Sequence, residues 1–132
     1  MRLTADTNVL VRAIVADDAK QARLAQTALA KAELIAVPTA ALCEFVWVLA
    51  RGYGIAHAET AAAVRALIAS ANVAADRPAV EAGLAVLDDG GDFADGVIAF
   101  EGASLGADTF ASFDKDAVKR VKKQGQAASL LE

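Results

Sequence analysis

Asp6, Glu44, Asp95 and Asp114 each stand where a carboxylate needs a reason. Asp6 ends a short apolar stretch in Leu3-Thr4-Ala5-Asp6-Thr7-Asn8. Glu44 is the only charge in the fourteen residues from Val37 to Ala50. Asp95 lies in Gly91-Asp92-Phe93-Ala94-Asp95-Gly96, and Asp114 follows the β-like run Thr109-Phe110-Ala111-Ser112-Phe113. Gathered in one place, four such acids would form a strongly negative pocket. Two carboxylates about 5 Å apart repel by on the order of 3 kcal/mol at an effective dielectric near 20. Four stay ionised together only if cations bind; otherwise some take up protons. An all-oxygen set of this kind suits Mg²⁺ or Mn²⁺ and not zinc, which prefers nitrogen and sulfur.

A plainer role stands beside this one. Asp6, Asp92 and Asp114 each precede a helical pattern, where an aspartate accepts hydrogen bonds from free N–H groups and favours the helix dipole. Asp95, three residues after Asp92, would then be a partner in a cap. Glu44 does not fit that role. It falls inside a helical pattern among Leu42, Cys43, Phe45, Val46, Trp47, Val48 and Leu49, and the nearest base, Arg51, is seven residues away. An unpaired carboxylate buried there would cost several kcal/mol. Glu44 is thus expected to be the uncomfortable acid, compensated from outside its helix. The lone His57 and lone Cys43 cannot build a zinc site. His57 reads as a surface residue and Cys43 as core.

Strands alternating with helices must position these acids. Arg2–Asp6 reads as a strand, followed by an apolar helical turn through Val9, Leu10 and Ile14. A helix runs from about Asp18 to Lys31, capped by Asp17 or Asp18. Leu34–Val37 is a short apolar strand, and Pro38 and Thr39 open a long helix to Arg51, which Gly52 and Gly54 stop. Further helices cover His57–Ala71 and the stretch after Asp76-Arg77-Pro78, with Val73–Ala75 a short strand between them. Gly90 and Gly91 end the latter helix, and Asp92 caps another to Ser104. Ala107–Phe113 is the last clear strand, and a helix follows Asp114. Strands separated by helices indicate an α/β domain with a parallel sheet. Ligands of such sheets bind outside the carboxyl ends of the strands, the end all four acids are expected to face.

Length and composition agree. The 132 residues are enough for one domain, and a hydrophobic content of 56% supports a true core. There are 34 alanines, which favours helical connections. No apolar run approaches the roughly 18 residues of a membrane span. No charged-then-apolar leader opens the chain, and one cysteine permits no internal disulfide, so a cytoplasmic location is expected. The net charge of −4 is unusual for a protein that meets nucleic acid. Its distribution is more informative: ten of the 17 acids lie between Asp76 and Asp116, and five of the 13 bases between Lys115 and Lys123. Lys115, Lys119, Arg120, Lys122 and Lys123 are therefore candidates to hold a polyanion, or else one solvated helix face.

In its ordered set of marks the chain resembles the PIN domain, and within it the VapC-type toxin ribonucleases of toxin–antitoxin pairs. The marks are Asp6-Thr7-Asn8-Val9-Leu10, the acid in Leu42-Cys43-Glu44, Asp92-Phe93-Ala94-Asp95 with Ile98-Ala99, and Ser112-Phe113-Asp114-Lys115-Asp116. Each is weak alone; four in order over essentially the whole chain are specific. The resemblance implies a PIN-like three-layer α/β/α sandwich with a central, mostly parallel sheet, formed by one domain over residues 1–132. It also implies an acidic cleft for Mg²⁺ or Mn²⁺ and hydrolysis of RNA phosphodiesters by a metal-activated water, leaving 5′-phosphate and 3′-hydroxyl ends. Asp6, Glu44, Asp95 and Asp114 then match the metal-holding, catalytic acids, and Asn8 and Ser112 match residues that orient them. Asp92 and Asp116 are extra ligands or caps. The implied partners are RNA and a VapB-type antitoxin seated on an apolar groove; a homodimer is the expected assembly, and no membrane is involved. Trp47, Phe45 and Phe100 are candidates for that groove or for the core. Gly96, where a larger helix former is common, is expected to loosen its helix.

Three other readings share some of these features. A haloacid-dehalogenase-like phosphatase needs a second acid two residues after the first, and Asn8 stands there. A receiver domain wants an acidic pair after its first strand and a lysine after its last; here Thr7 and Asp114 occupy those places. A PIN-like module that binds RNA without cutting would be marked by loss of an acid, and none is lost.

Overall fold

A computed structural model describes all residues from Met1 to Glu132. The chain forms two units, Met1–Asp76 and Arg77–Glu132.

In the first unit, β1 (Arg2–Thr4) leads into α1 (Thr7–Ile14) and α2 (Ala19–Lys31), then β2 (Leu34–Ala36). Next come α3 (Thr39–Trp47), α4 (His57–Ala69) and β3 (Val73–Ala74). The three strands form a parallel ladder in the order β1-β2-β3, with Leu3 beside Ile35 and Ile35 beside Val73. Parallel neighbours require helical crossovers, which α1–α2 and α3–α4 supply. Ile35 at the centre of the ladder is buried, as are Leu10, Val11, Leu42, Phe45, Val46, Leu49, Val64 and Ile68 from the helices. Asp18, not Asp17, caps α2 by accepting from the Gln21 N–H at 3.0 Å. Asp17 instead pairs with Arg12 at 2.9 Å and accepts from the Tyr53 hydroxyl. The expected long helix to Arg51 is α-helical only to Trp47 and continues as a π-helical turn, Val48–Gly52.

The second unit holds α5 (Arg77–Asp88), α6 (Phe93–Ser104), β4 (Phe110–Ser112), α7 (Lys115–Lys123) and β5 (Ala128–Leu130). β4 and β5 pair in parallel, Phe110 beside Ala128 and Ser112 beside Leu130, with α7 as the crossover. β5 has no clear sequence signal, because Ala128-Ser129-Leu130 is short and lacks β-branched residues. α5 and α6 cross closely at two glycines. A Cβ on Gly96 would strike the Ala82 carbonyl and the Gly83 Cα, and a Cβ on Gly83 would strike the Phe93 ring. Gly96 is therefore needed for close approach, which corrects the expectation that it loosens its helix. That contact fixes the turn of α6 carrying Asp95.

Arg120 ties α7 to the turn that follows α5. Its guanidinium donates to the Asp89 carbonyl, to the Asp89 carboxylate at 3.0 Å and to Asp116 at 2.9 Å. Its stem lies where a Cβ on Gly91 would collide with it. Lys123 adds a 2.6 Å ion pair to Asp89.

Candidate functional site

The carboxylates form one set in each unit. In the first, Asp6 follows β1 and caps α1, accepting the Thr7 N–H at 2.8 Å. Glu44 sits in α3 and accepts the Thr7 hydroxyl at 3.1 Å. Thr7 thus holds both acids, Asp6 through its backbone and Glu44 through its side chain. It is buried to 7% exposure, one of only two buried polar residues of the chain. A threonine between Asp6 and Asn8 carries no sign of this in the sequence, since its partner is 37 residues away. Asn8 is exposed one residue further along α1, beside a shallow apolar hollow with Val9, Arg12 and Leu24.

Glu44 is not the buried charge its neighbours suggest. Leu42, Phe45, Val46 and Leu49, spaced as one helical face, turn inward and are buried, whereas Glu44 and Trp47 lie one turn apart on the exposed side. Of the three aromatics considered for core or groove, Phe45 is buried, Phe100 is half-buried and Trp47 is 59% exposed.

The strained acid is Asp95, in the second unit. It lies in the first turn of α6 and is partly buried, and no donor reaches its carboxylate. Burial pushes its pKa up to about 6, helped by the negative charges of Asp92, Asp114 and Asp116. Asp92 caps α6, accepting from the Ala94 N–H at 3.1 Å. Asp114 caps α7, accepting from Asp116 and Ala117 N–H through one oxygen and leaving the other open. The Asp114 N–H in turn donates to the Ser112 hydroxyl at 3.0 Å, so Ser112 fixes the turn that aims Asp114. Asp116 is not a cap; its carboxylate pairs with Arg120.

The basic helix divides in the same way. Of the five candidate RNA-contacting bases, Arg120 and Lys123 are engaged with Asp89. Lys115, Lys119 and Lys122 are exposed and make no ion pair. They rim a shallow groove floored by Val118 and Leu130.

Chemically, these donors suit a hard divalent cation: every one is a carboxylate oxygen, and a dication would offset the burial and the neighbouring negative charges that raise Asp95. Neither unit by itself gathers three such groups at coordinating distance. No helix is long and apolar enough to cross a membrane.

A search of curated proteins returns no match. The PIN domain family model matches residues 4–124, nearly the whole chain, a span within which Asp6, Glu44, Asp95 and Asp114 all fall. Membership carries the fold class with it, a helix-rich α/β/α architecture with parallel strands. The chain belongs to the PIN domain family, whose members are generally nucleases and typically use divalent metal ions.

Proposed function

We propose that this protein is a Mg²⁺- or Mn²⁺-dependent endoribonuclease, working through Asp6, Glu44, Asp95 and Asp114. The observation that carries the reading is Asp95, a partly buried carboxylate with no donor, set in the field of three other acids. Burying and crowding such a group is unfavourable for folding, and a cation is the partner that would repay it. A bound dication supplies the Lewis acidity and water activation that phosphodiester hydrolysis needs. Thr7 and Ser112 keep Glu44 and Asp114 aimed, and the one open oxygen of Asp114 remains for the ion. Family membership sets aside the phosphatase and receiver readings. A covalent route has no candidate either, because the lone His57 has no nucleophile and acid arranged around it.

The VapC-like motifs support a narrower reading, in which the nuclease is a toxin held by a small VapB-type antitoxin. Exposed Ile14, Leu24 and Trp47 of the first unit offer apolar anchors for such a partner. A homodimer and a cytoplasmic location belong to the same reading. Purified protein incubated with RNA tests the enzymatic part: cleavage with Mg²⁺ or Mn²⁺, none in EDTA, and none with Asp6→Asn. RNA that stays intact with either metal across pH 6–9 would leave a non-cleaving RNA-binding module. A small DNA-binding partner encoded beside this gene, able to silence cleavage when co-purified, tests the toxin part.

A further inference from the structure

Phe113 is 80% exposed, yet it stands between two residues whose positions are fixed. Ser112 ends β4, Asp114 caps α7, and the hydrogen bond from the Asp114 N–H to the Ser112 hydroxyl closes the turn around it. The ring is therefore presented by a hydrogen-bonded turn and left in water, directly beside a carboxylate proposed for catalysis. Immediately after it comes a line of cations. Lys115, Lys119 and Lys122 recur at i, i+4 and i+7, which places them on one face of α7. Like charges at this spacing weaken a helix, and no acid pairs with any of the three. Along the axis they span about 10 Å at 1.5 Å per residue.

A flat aromatic face followed by a row of unpaired cations matches the two halves of a single-stranded nucleotide chain. The bases stack on aromatic rings and the phosphates follow positive charge. A duplex fits less well, because its bases are already stacked on each other. A second copy of this acidic chain, or another protein, fits less well too: interface centres are depleted in lysine, and here four line the groove, Lys115, Lys119, Lys122 and the Asp89-paired Lys123.

We propose that Phe113 is a base-stacking platform and that Lys115, Lys119 and Lys122 hold the adjoining phosphates of a single-stranded RNA. The proposal rests on the ribonuclease reading for its biological sense, but its test does not need catalysis. The intact protein in EDTA is titrated into a fluorescently labelled single-stranded RNA of about 12 nucleotides and, separately, into a duplex. Fluorescence anisotropy gives Kd as a function of salt. Phe113→Ala should weaken single-strand binding by roughly 5- to 100-fold, the range of one lost base stack, while Phe113→Trp holds or tightens it. Replacing Lys115, Lys119 and Lys122 together with Gln should reduce the slope of log K against log salt by about 2, at roughly 0.7 per phosphate for a single strand. Duplex binding should be indifferent to Phe113.

Equal single-strand affinity for wild type and Phe113→Ala, with circular dichroism unchanged, would overturn the proposal. So would a Phe113→Ala protein whose only change is the loss of a dimer in sedimentation, which would make the ring a contact between copies. RNA binding that depends on Phe113 in a protein that never cleaves would sustain the platform and refute the nuclease. Cleavage that proceeds with Phe113-independent binding would do the reverse.

Discussion

Replacing Asp95 with Asn removes one charge from the crowded carboxylates of the second unit while keeping its shape. The wild-type group moves from 3.8 to about 6 on folding, first through burial and then through Asp92, Asp114 and Asp116. Taken in full, that displacement corresponds to about 3 kcal/mol in favour of the neutral acid. Solvent still reaches this partly covered carboxylate, and screening reduces the figure to about 1–2 kcal/mol. The sign follows from proton binding. Folded protein holds this proton more tightly than unfolded protein, so its contribution to stability falls as pH rises from about 4 to about 6 and stays unfavourable above that. Asp95→Asn should therefore be more stable than wild type by about 1–2 kcal/mol at pH 7.5, or about 3–6 °C in Tm. Near pH 3, where wild-type Asp95 is largely protonated in both states, the advantage should nearly vanish. Urea unfolding in EDTA at both pH values measures this, with an unchanged m-value confirming that the unfolded states compare. A variant no more stable than wild type at pH 7.5, or equally favoured at pH 3, would refute the assignment of strain to Asp95. The same variant should lose metal-dependent cleavage, an exchange of function for stability common at active sites.

Three further substitutions probe the supports. Thr7→Val removes the hydroxyl that Glu44 accepts; it should cost about 1 kcal/mol in urea unfolding and weaken Mn²⁺ binding several-fold in calorimetry, with Thr7→Ser close to wild type. Glu44→Gln, at an exposed position, should leave metal-free stability within about 0.5 kcal/mol while abolishing cleavage in a gel assay. Gly96→Ala sets two effects against each other: helix propensity offers about 1 kcal/mol, but the added methyl meets the Ala82 carbonyl, whose backbone cannot swing aside. Overpacking of about 1–3 kcal/mol should win, and a lowered Tm would show it.

The local grammar of the sequence carried much of the fold. Asp18, Asp92 and Asp114 cap helices because an aspartate before an apolar-periodic segment has few better uses, and Gly90 and Gly91 end α5 because they must. Strand-helix alternation was enough for parallel pairing. What depends on the third dimension was not legible. The run around Glu44 is apolar in sequence, but a helix distributes it over all sides, and Glu44 with Trp47 falls on the wet one. The strain instead gathers at Asp95, whose neighbours Asp114 and Asp116 lie about twenty residues on. Thr7 is likewise defined only by a partner on another helix. Gly96 carries a propensity penalty in sequence and a packing necessity in space. The charges of α7 could be counted but not sorted into paired and unpaired before Asp89 and Asp116 were placed.

Isothermal titration of Mn²⁺ into metal-free protein tests the central claim most directly. Wild type should bind saturably. At pH 5.5, in buffers of different ionisation heats, it should release protons as Asp95 ionises. Asp6→Asn, Glu44→Gln, Asp95→Asn and Asp114→Asn should each weaken binding by tenfold or more, about 1.4 kcal/mol, while Asp17→Asn, whose acid serves only Arg12 and Tyr53, should bind as wild type does. Saturable binding that all four variants retain, or no binding at millimolar Mn²⁺, would contradict the assignment of these carboxylates as the metal-holding set.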